Sequence, residues 1–228
     1  MALEHADEIC SLEFLLDGHL VSGNSMGEIT LWDTVTGSRV RPINAHRFRI
    51  NSLSASGIKL KLASGSDDKT VRVWDTTSWE YMPMFECDSS VFSVSLYPNA
   101  DRVAACTEDM LYVWDTVTQQ LIASKNLNKG KDVAISRDGK WLAVAADKIV
   151  SLYDATTLGC IWSRDDSCKS VSFSPASHQL ACGYSSEVKV FDVPTRNLVR
   201  SFHHDYVERA VFSHNGTRLI SGESCIAL

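Results

Sequence analysis

The sequence predicts an all-β chain assembled from one repeated unit, and three observations carry that prediction. Aromatic-Asp pairs recur at Trp32-Asp33, Trp74-Asp75, Trp114-Asp115, Tyr153-Asp154 and Phe191-Asp192, at steps of 42, 40, 39 and 38 residues. Each pair closes a short stretch in which aliphatic and polar residues alternate (ITLWDTVTG, VRVWDTTSW, LYVWDTVTQ, VSLYDATTL, VKVFDVPTR), the period-2 pattern of a strand with two unlike faces. No window carries a convincing ten-residue amphipathic helix.

Within the unit the elements follow in a fixed order. A first strand such as Val91-Phe92-Ser93-Val94-Ser95-Leu96 alternates apolar and small polar residues. A turn comes next, marked by Asp138-Gly139 in one unit and Asn215-Gly216 in another, because glycine accepts a positive φ. The second strand is of the Leu-x-Ser-Gly type, as at Leu62-Ala63-Ser64-Gly65 and Leu219-Ile220-Ser221-Gly222, and the aromatic-Asp strand is third. A more variable fourth strand closes the unit, for example Leu121-Ile122-Ala123-Ser124 or Leu198-Val199-Arg200-Ser201-Phe202. Four short antiparallel strands per roughly 40 residues make one blade of a β-propeller, whose sheet faces are buried against neighbouring blades. The units are expected at 8–45, 46–89, 90–129, 130–167 and 168–205, with about half of a sixth at 206–228. The aromatic-Asp pair of that sixth unit extrapolates to about residues 229–231.

On these motifs the sequence resembles the WD-repeat (Trp-Asp repeat) β-propeller family over nearly its whole length. The later units depart from the pattern: the aromatic drifts to Tyr153 and Phe191, and the turn before the third strand shortens. The resemblance implies a ring of seven blades, so 1–228 is expected to be a piece of such a ring. A strained short ring, with residues 225–228 and the N-terminal residues as extra strands, and pairing with another chain through open sheet edges are the alternatives.

Blade two contains His46, Ser64 and Asp68, residue types that could form a hydrolase triad. The resemblance instead places them, with Trp74, on the family's structural network. There Asp68 orients the His46 ring, His46 bonds Ser64, and Ser64 reaches the Trp74 indole N–H. Catalysis would further require an exposed nucleophile and an oxyanion site, and nothing nearby suggests one. Blade one keeps Ser22 and Trp32 but has Met26 at the Asp68 position. The recurring Asp33, Asp75, Asp115, Asp154 and Asp192 fall once per blade. They suit an Asx-type turn between the third and fourth strands better than a metal site. His203-His204 has no partner at metal-ligand spacing, and one of the pair is expected to take the place of His46 ahead of unit six. No Gly-rich phosphate loop occurs.

Composition narrows the function classes. The 228 residues are 44% hydrophobic and 22% charged, with a net charge of −6 and a pI near 5.6. That excludes a globally basic surface of the kind that grips phosphate backbones, so no direct nucleic-acid binding is expected. No apolar run approaches the roughly 18 residues of a membrane span, and the acidic start Met1–Glu8 is unlike a signal peptide. A cytoplasmic or nuclear protein without membrane contact is therefore expected. Seven cysteines (Cys10, Cys87, Cys106, Cys160, Cys168, Cys182 and Cys225) without a C-x-x-C spacing read as buried free thiols.

The expectation is thus a non-catalytic, cofactor-free scaffold that contacts other proteins or peptides. The alternatives are a sensor or regulatory part of a larger multidomain protein, or a propeller enzyme with polar groups converging on a channel; first strands rich in Ser, Val, Ala, Leu and Phe argue against the enzyme. The resemblance implies that loops on one face carry the partner site. Mapped here, that face includes Arg47, Phe48, Arg49, Lys69, Tyr184 and Tyr206, together with Asn24, Met26 and Asp67. An apolar ring between two guanidinium groups at Arg47-Phe48-Arg49 suits an acidic or phosphorylated peptide; the alternative is that Phe48 caps the core and the two arginines are simply solvated. The stretch from Trp79 to Phe85 is rich in interface-favoured residue types but falls in an outer strand, where burial against blade three is the expectation.

Overall fold

The computed structural model describes residues 7–213 and 215–222. Cys225 and the remainder of the sixth unit beyond Gly222 lie outside the described residues, as do Met1–Ala6. The chain divides into two compact units, Met1–Lys125 and Asn126–Leu228. Among the described residues every regular element is a strand, and all pairing is antiparallel between sequence neighbours.

The first unit holds three four-stranded sheets. Blade one is β1 (Ile9–Phe14), β2 (Leu20–Asn24), β3 (Glu28–Trp32) and β4 (Arg39–Asn44). Blade two is β5 (Ile50–Ala55), β6 (Lys61–Ser66), β7 (Thr70–Asp75) and β8 (Tyr81–Glu86). Blade three is β9 (Val91–Leu96), β10 (Arg102–Thr107), β11 (Met110–Asp115) and β12 (Leu121–Asn126). The second unit holds blade four, with β13 (Gly130–Ile135), β14 (Trp141–Ala146), β15 (Ile149–Asp154) and β16 (Cys160–Arg164). Blade five follows with β17 (Ser170–Phe173), β18 (Gln179–Gly183), β19 (Glu187–Asp192) and β20 (Leu198–His203), and then a pair, β21 (Arg209–Phe212) and β22 (Leu219–Gly222).

The gradient of burial across each sheet explains the sequence pattern. Second and third strands are covered on both faces: β2 is buried throughout and β14 is buried from its second residue. Fourth strands lie outermost, and β20 is exposed along its whole length, which is why their sequences vary. Within each unit, neighbouring blades share a core. Val71, Val73 and Phe85 of blade two pack with Val91, Val103, Tyr112 and Trp114 of blade three. Leu152 of blade four packs with Leu180 and Phe191 of blade five in the same way. Phe85 stacks on Trp114 at 5.0 Å between centroids and 20° between planes.

Two devices bring the blades together. The Gly of the Leu-x-Ser-Gly strand is needed for close approach, since a Cβ on Gly65 would stand 2.6 Å from Val91 Cγ1, and one on Gly23 would stand 2.7 Å from Ile50 Cγ2. First strands of neighbouring blades are tied by short side chains that accept the neighbour's backbone N–H. Ser11 Oγ and Glu13 Oε1 accept from Leu53 N–H and Ala55 N–H at 3.0 and 3.2 Å. Ser52 and Ser54 hydroxyls accept from Val94 N–H and Leu96 N–H at 3.1 and 3.0 Å. Asp132 Oδ2 accepts from Val171 N–H at 2.9 Å, and Ser170 Oγ accepts from Ala210 N–H at 3.0 Å. The alternating small polar residues of the first strands are therefore inter-blade acceptors, which satisfy N–H groups that burial would otherwise strand.

The turns carry the chemistry their sequences suggest. After the aromatic-Asp pair the Asp Oδ1 accepts from the N–H groups two and three residues on, at 2.8 and 2.9 Å for Asp33 and at 3.0 and 2.7 Å for Asp154. The residue four positions after each Asp then takes a positive φ: Gly37 (70°), Trp79 (60°), Gln119 (61°), Leu158 (57°) and Arg196 (63°). This is an Asx turn closed by a left-handed residue. Backbone N–H donors accordingly hold the carboxyls of Asp33, Asp115 and Asp154 below the usual carboxylate range. Among the described residues no group of three or more His, Cys, Asp or Glu side chains is arranged to hold a metal ion.

Two expectations need correction. The cysteines are not uniformly buried: Cys106, Cys168 and Cys182 are, whereas Cys10 and Cys87 are half-buried and Cys160 is exposed in the short strand β16. Neither histidine of the His203-His204 pair takes a position like that of His46. His203 ends the exposed outer strand β20 and His204 is exposed beside it.

Candidate protein-interaction site

The rim of blade two is built from the loop between β4 and β5 (Ala45–Arg49) and the turn between β6 and β7 (Asp67–Lys69). Its foundation is a buried polar chain. His46 Nδ1 lies 3.0 Å from Asp68 Oδ2, and His46 Nε2 lies 2.6 Å from Ser64 Oγ. The Trp74 indole N–H donates to Ser64 Oγ at 2.9 Å. The His46 side chain is 0% exposed and that of Asp68 4%. Burial lowers the His46 pKa against the opposing pull of Asp68, so the ring is neutral near pH 7. The proton order is then settled by donor count: Trp74 N–H to Ser64, Ser64 O–H to Nε2, and Nδ1–H to the Asp68 carboxylate. Burial also disfavours the Asp68 anion, but the bonds from His46, Thr70 Oγ1 and Arg47 N–H outweigh it and hold the carboxyl well below its ordinary range.

In this arrangement Ser64 is not a free nucleophile. The Ser64 hydroxyl is fully buried and shared between the indole and the imidazole. Blade one keeps half of the chain, with Trp32 N–H donating to Ser22 Oγ at 2.8 Å. In place of the Asp, Asn24 Oδ1 accepts from Met26 N–H and Glu28 N–H at 3.0 and 2.8 Å. Asn24 is 1% exposed and serves the turn rather than the surface.

Above this foundation the backbone of residues 46–49 is pinned on every side. Arg47 N–H donates to Asp68 Oδ2 at 3.1 Å, Phe48 O accepts from Ser66 Oγ at 3.1 Å, and Arg49 O accepts from Asp67 N–H at 3.0 Å. From blade one, Gly27 with φ 83° lies so close that a Cβ would stand 2.4 Å from His46 O and 2.8 Å from Phe48 O. The result is a rigid rim that presents Phe48 at 60% exposure beside Met26 at 68% and an exposed Arg47.

The remaining expected site residues separate. Arg49 is engaged, its guanidinium donating to Glu8 Oε1 and Oε2 at 3.2 and 3.3 Å, so among the described residues one unpaired guanidinium flanks Phe48 instead of two. Lys69, at φ 67°, donates from Nζ to Asp88 O at 3.1 Å. Tyr206 is 72% exposed but belongs to the second unit. Tyr184 is not on the surface: it is 5% exposed, under the Lys189 ammonium at 4.4 Å. It follows β18 in the buried second-strand register, which places its ring in the core. In the Trp79–Phe85 stretch, Phe85 and Trp79 are buried, while Tyr81 and Met84 stay 39% and 43% exposed.

Three contributors to this rim carry no motif. Glu8 neutralises Arg49, Asn51 Nδ2 bridges Asp67 Oδ1 at 2.7 Å to Val91 O at 3.0 Å, and Arg72 donates to Ala45 O at 2.6 Å. Their common signal is a polar residue at a blade junction, which the repeat pattern alone does not single out.

Comparison with known proteins agrees with this architecture. The family model for the WD domain, G-beta repeat, matches residues 37–75 and 129–154. The p21-activated protein kinase-interacting protein 1-like of Danio rerio is 29% identical over 162 residues, covering 70% of this chain and 44% of that protein. The periodic tryptophan protein 2 homolog of Schizosaccharomyces pombe is 28% identical over 192 residues, covering 81% and 20%. Eukaryotic translation initiation factor 3 subunit I of Bombyx mori is 27% identical over 106 residues, covering 46% and 32%. The chain thus spans less than half the length of these curated relatives. The crystal structure of the Myceliophteria thermophila Cps50 (Swd1) β-propeller domain superimposes with a TM-score of 0.85 at 19% identity, covering 96% of this chain and 80% of that one. The repeat pattern and the two family-model matches make the chain similar to WD-repeat proteins, and the structural neighbour shows that its fold is a β-propeller.

Proposed function

We propose that the chain is a non-catalytic scaffold for protein–protein contacts, and that the Arg47–Phe48 rim of blade two, with Met26, is a partner-binding surface selective for acidic or phosphorylated segments. The observation that carries this reading is the pinned backbone of residues 46–49, from which an exposed aromatic ring and an exposed guanidinium project. Binding to such a surface loses little ordering entropy, and aromatic and Arg side chains dominate interface energetics. The relatives' membership of WD-repeat proteins, among them a kinase-interacting protein and an initiation-factor subunit, supports the scaffold role. Among the described residues no helix is long and apolar enough to cross a membrane.

The non-catalytic reading rests on the burial of Ser64 between its two partners. The test is fluorescence anisotropy with labelled peptides of equal length bearing glutamate, phosphoserine or serine at the same positions. The acidic and phosphorylated peptides are expected to bind, and Arg47→Glu and Phe48→Ala each to weaken them at least tenfold without changing the melting curve. Equal binding of all three peptides, or indifference to Arg47→Glu, would remove the rim from consideration.

A further inference from the structure

The Trp79–Phe85 stretch, dense in residue types favoured at interfaces, divides its side chains between two neighbouring blades, and register sorts them. Trp74 is opposite Tyr81 and Arg72 opposite Met84, whereas Val71 is opposite Phe85. Val71 and Phe85 belong to the core shared with blade three. Trp74 belongs to the core shared with blade one, together with Leu31 and, at its margin, Ile43. Arg72, Tyr81 and Met84 therefore share the face of blade two that looks toward blade one, and the Tyr81 ring lies 5.0 Å from that of Trp74. Tyr81 and Met84 are nonetheless 39% and 43% exposed.

Across from them runs β4, the outer strand of blade one. Ile29 is opposite Ile43 and Leu31 opposite Arg41, so Ile43 and Arg41 point toward blade two. The two blades keep one register, Leu20↔Trp32 in the first and Leu62↔Trp74 in the second, which makes Ile29 the counterpart of Val71. Ile43 is then the counterpart of Phe85, and Arg41 that of Pro83. Arg41 accordingly stands level with the middle of β8, between Tyr81 and Met84. Pro83 is buried at its own junction, but Arg41 is exposed, and among the described residues no carboxylate pairs with its guanidinium. We propose that this outer flank of the junction between blades one and two is a second partner surface, and that its occupant is an extended segment of another protein in which a carboxylate is flanked by large apolar residues.

Charge and chain geometry choose that occupant. Arg72 is already engaged: it donates to Ala45 O at 2.6 Å, and its guanidinium carbon lies 4.5 Å from the centre of the Tyr81 ring. Arg41 meets an incoming carboxylate without giving up an ion pair, and a guanidinium holds such a group in two parallel hydrogen bonds. An extended segment sends successive side chains to opposite sides. Lying between the two outer strands, it turns its apolar residues to Tyr81 and Met84 and its acidic residue to Arg41. Glu86, exposed at the far end of β8 on the Met84 side, repels a carboxylate there and so fixes the acidic position beside Arg41. Tyr and Arg are the residue types that dominate interface energetics, and a methionine adapts to the apolar groups it meets.

The probe is a fluorescent synthetic peptide with Leu-Glu-Leu at its centre, titrated into the 1–228 chain beside Leu-Lys-Leu and Ser-Glu-Ser versions. The Leu-Glu-Leu peptide is expected to bind about tenfold more tightly than either control. Arg41→Glu should weaken it about tenfold and Met84→Ser about fivefold, with unchanged melting curves. Both side chains are exposed, so neither substitution threatens the core; Arg41→Gln, which only removes the charge, is the milder second variant. Leu-Lys-Leu should gain on Arg41→Glu. A photo-reactive leucine in the peptide should attach to β4 or β8. The flank stands apart from the Arg47–Phe48 rim, so Arg47→Glu should leave Leu-Glu-Leu binding as it is. Equal binding of the three peptides, indifference to Arg41→Glu, or attachment elsewhere overturns the proposal. Loss on Arg47→Glu with Arg41→Glu silent overturns it too, while leaving the rim standing.

Discussion

Replacing Asp68 with Ala tests whether the buried polar chain under the rim holds blade two together. The carboxylate accepts from His46 Nδ1, Thr70 Oγ1, and the N–H groups of Thr70 and Arg47. Of these donors, the Thr70 hydroxyl can rotate and the two backbone groups lie near solvent. The His46 N–H cannot reach solvent, because its ring is fully buried and its other nitrogen is held by Ser64, and the Thr70 hydroxyl, 3.1 Å from Nδ1, is a neutral and weaker acceptor than the lost carboxylate. An unsatisfied buried donor costs about 1–3 kcal/mol, and the lost turn bonds add to it, so Asp68→Ala should cost about 2–4 kcal/mol. Ser22→Ala in blade one strands only the Trp32 N–H and should cost about 1–2 kcal/mol. Asp68→Ala combined with Ser64→Ala should cost less than the two added together, since both act through His46. The assay is urea unfolding followed by tryptophan fluorescence, with m-values compared to guard against a change in the unfolded state. A midpoint for Asp68→Ala equal to that of wild type at unchanged m, or strict additivity with Ser64→Ala, would refute the argument.

Other outcomes follow from the same geometry. The His46 pKa is lowered on folding, so the unfolded chain binds the extra proton. Stability from this residue is complete above about pH 6.5 and falls as the pH drops below that value, a slope that His46→Gln should flatten in acid titrations of the urea midpoint. Glu13 has the opposite sign: burial pushes its carboxyl up to about 7, so the folded state favours the protonated form and loses stability as pH rises from about 4.5 to 7. Glu13→Gln should therefore be near neutral at pH 5 and stabilising at pH 8, and the same effect at both values would count against burial as the cause. Gly65→Ala should cost about 2–4 kcal/mol in the same assay, because its methyl would stand 2.6 and 2.7 Å from Val91 and Val94 methyls in a core that cannot shift. At the exposed Gly57, whose Cβ meets nothing within 4 Å, the same substitution should be near neutral.

What the repeat made legible was whatever each blade must do for itself. A blade needs two strands covered on both faces, an Asx turn after the aromatic-Asp pair and a left-handed residue to close it, and each requirement recurs at a period near 40, so the strands and turns could be placed from the chain alone. What stayed illegible is what blades do to each other. Ser52 and Ser54 read as the polar half of an alternating strand, yet their hydroxyls accept the N–H groups of Val94 and Leu96, 42 residues away. Arg49 reads as half of a basic clamp until Glu8, 41 residues earlier, occupies it. Tyr184 reads as a loop tyrosine until the second-strand register carries it under Lys189. Partner-binding surfaces are made of such cross-blade residues, because a loop presents a side chain only where the neighbouring blade leaves it free. Blade one meets the backbone of His46 and Phe48 with Gly27, a residue without a side chain, and so lets the loop that carries Arg47 and Phe48 lie against it. The candidate rim is thus a property of the junction between blades one and two. A Gly27→Ala chain, whose methyl would collide with His46 O and Phe48 O, should lose acidic-peptide binding along with stability, whereas Gly57→Ala should lose neither.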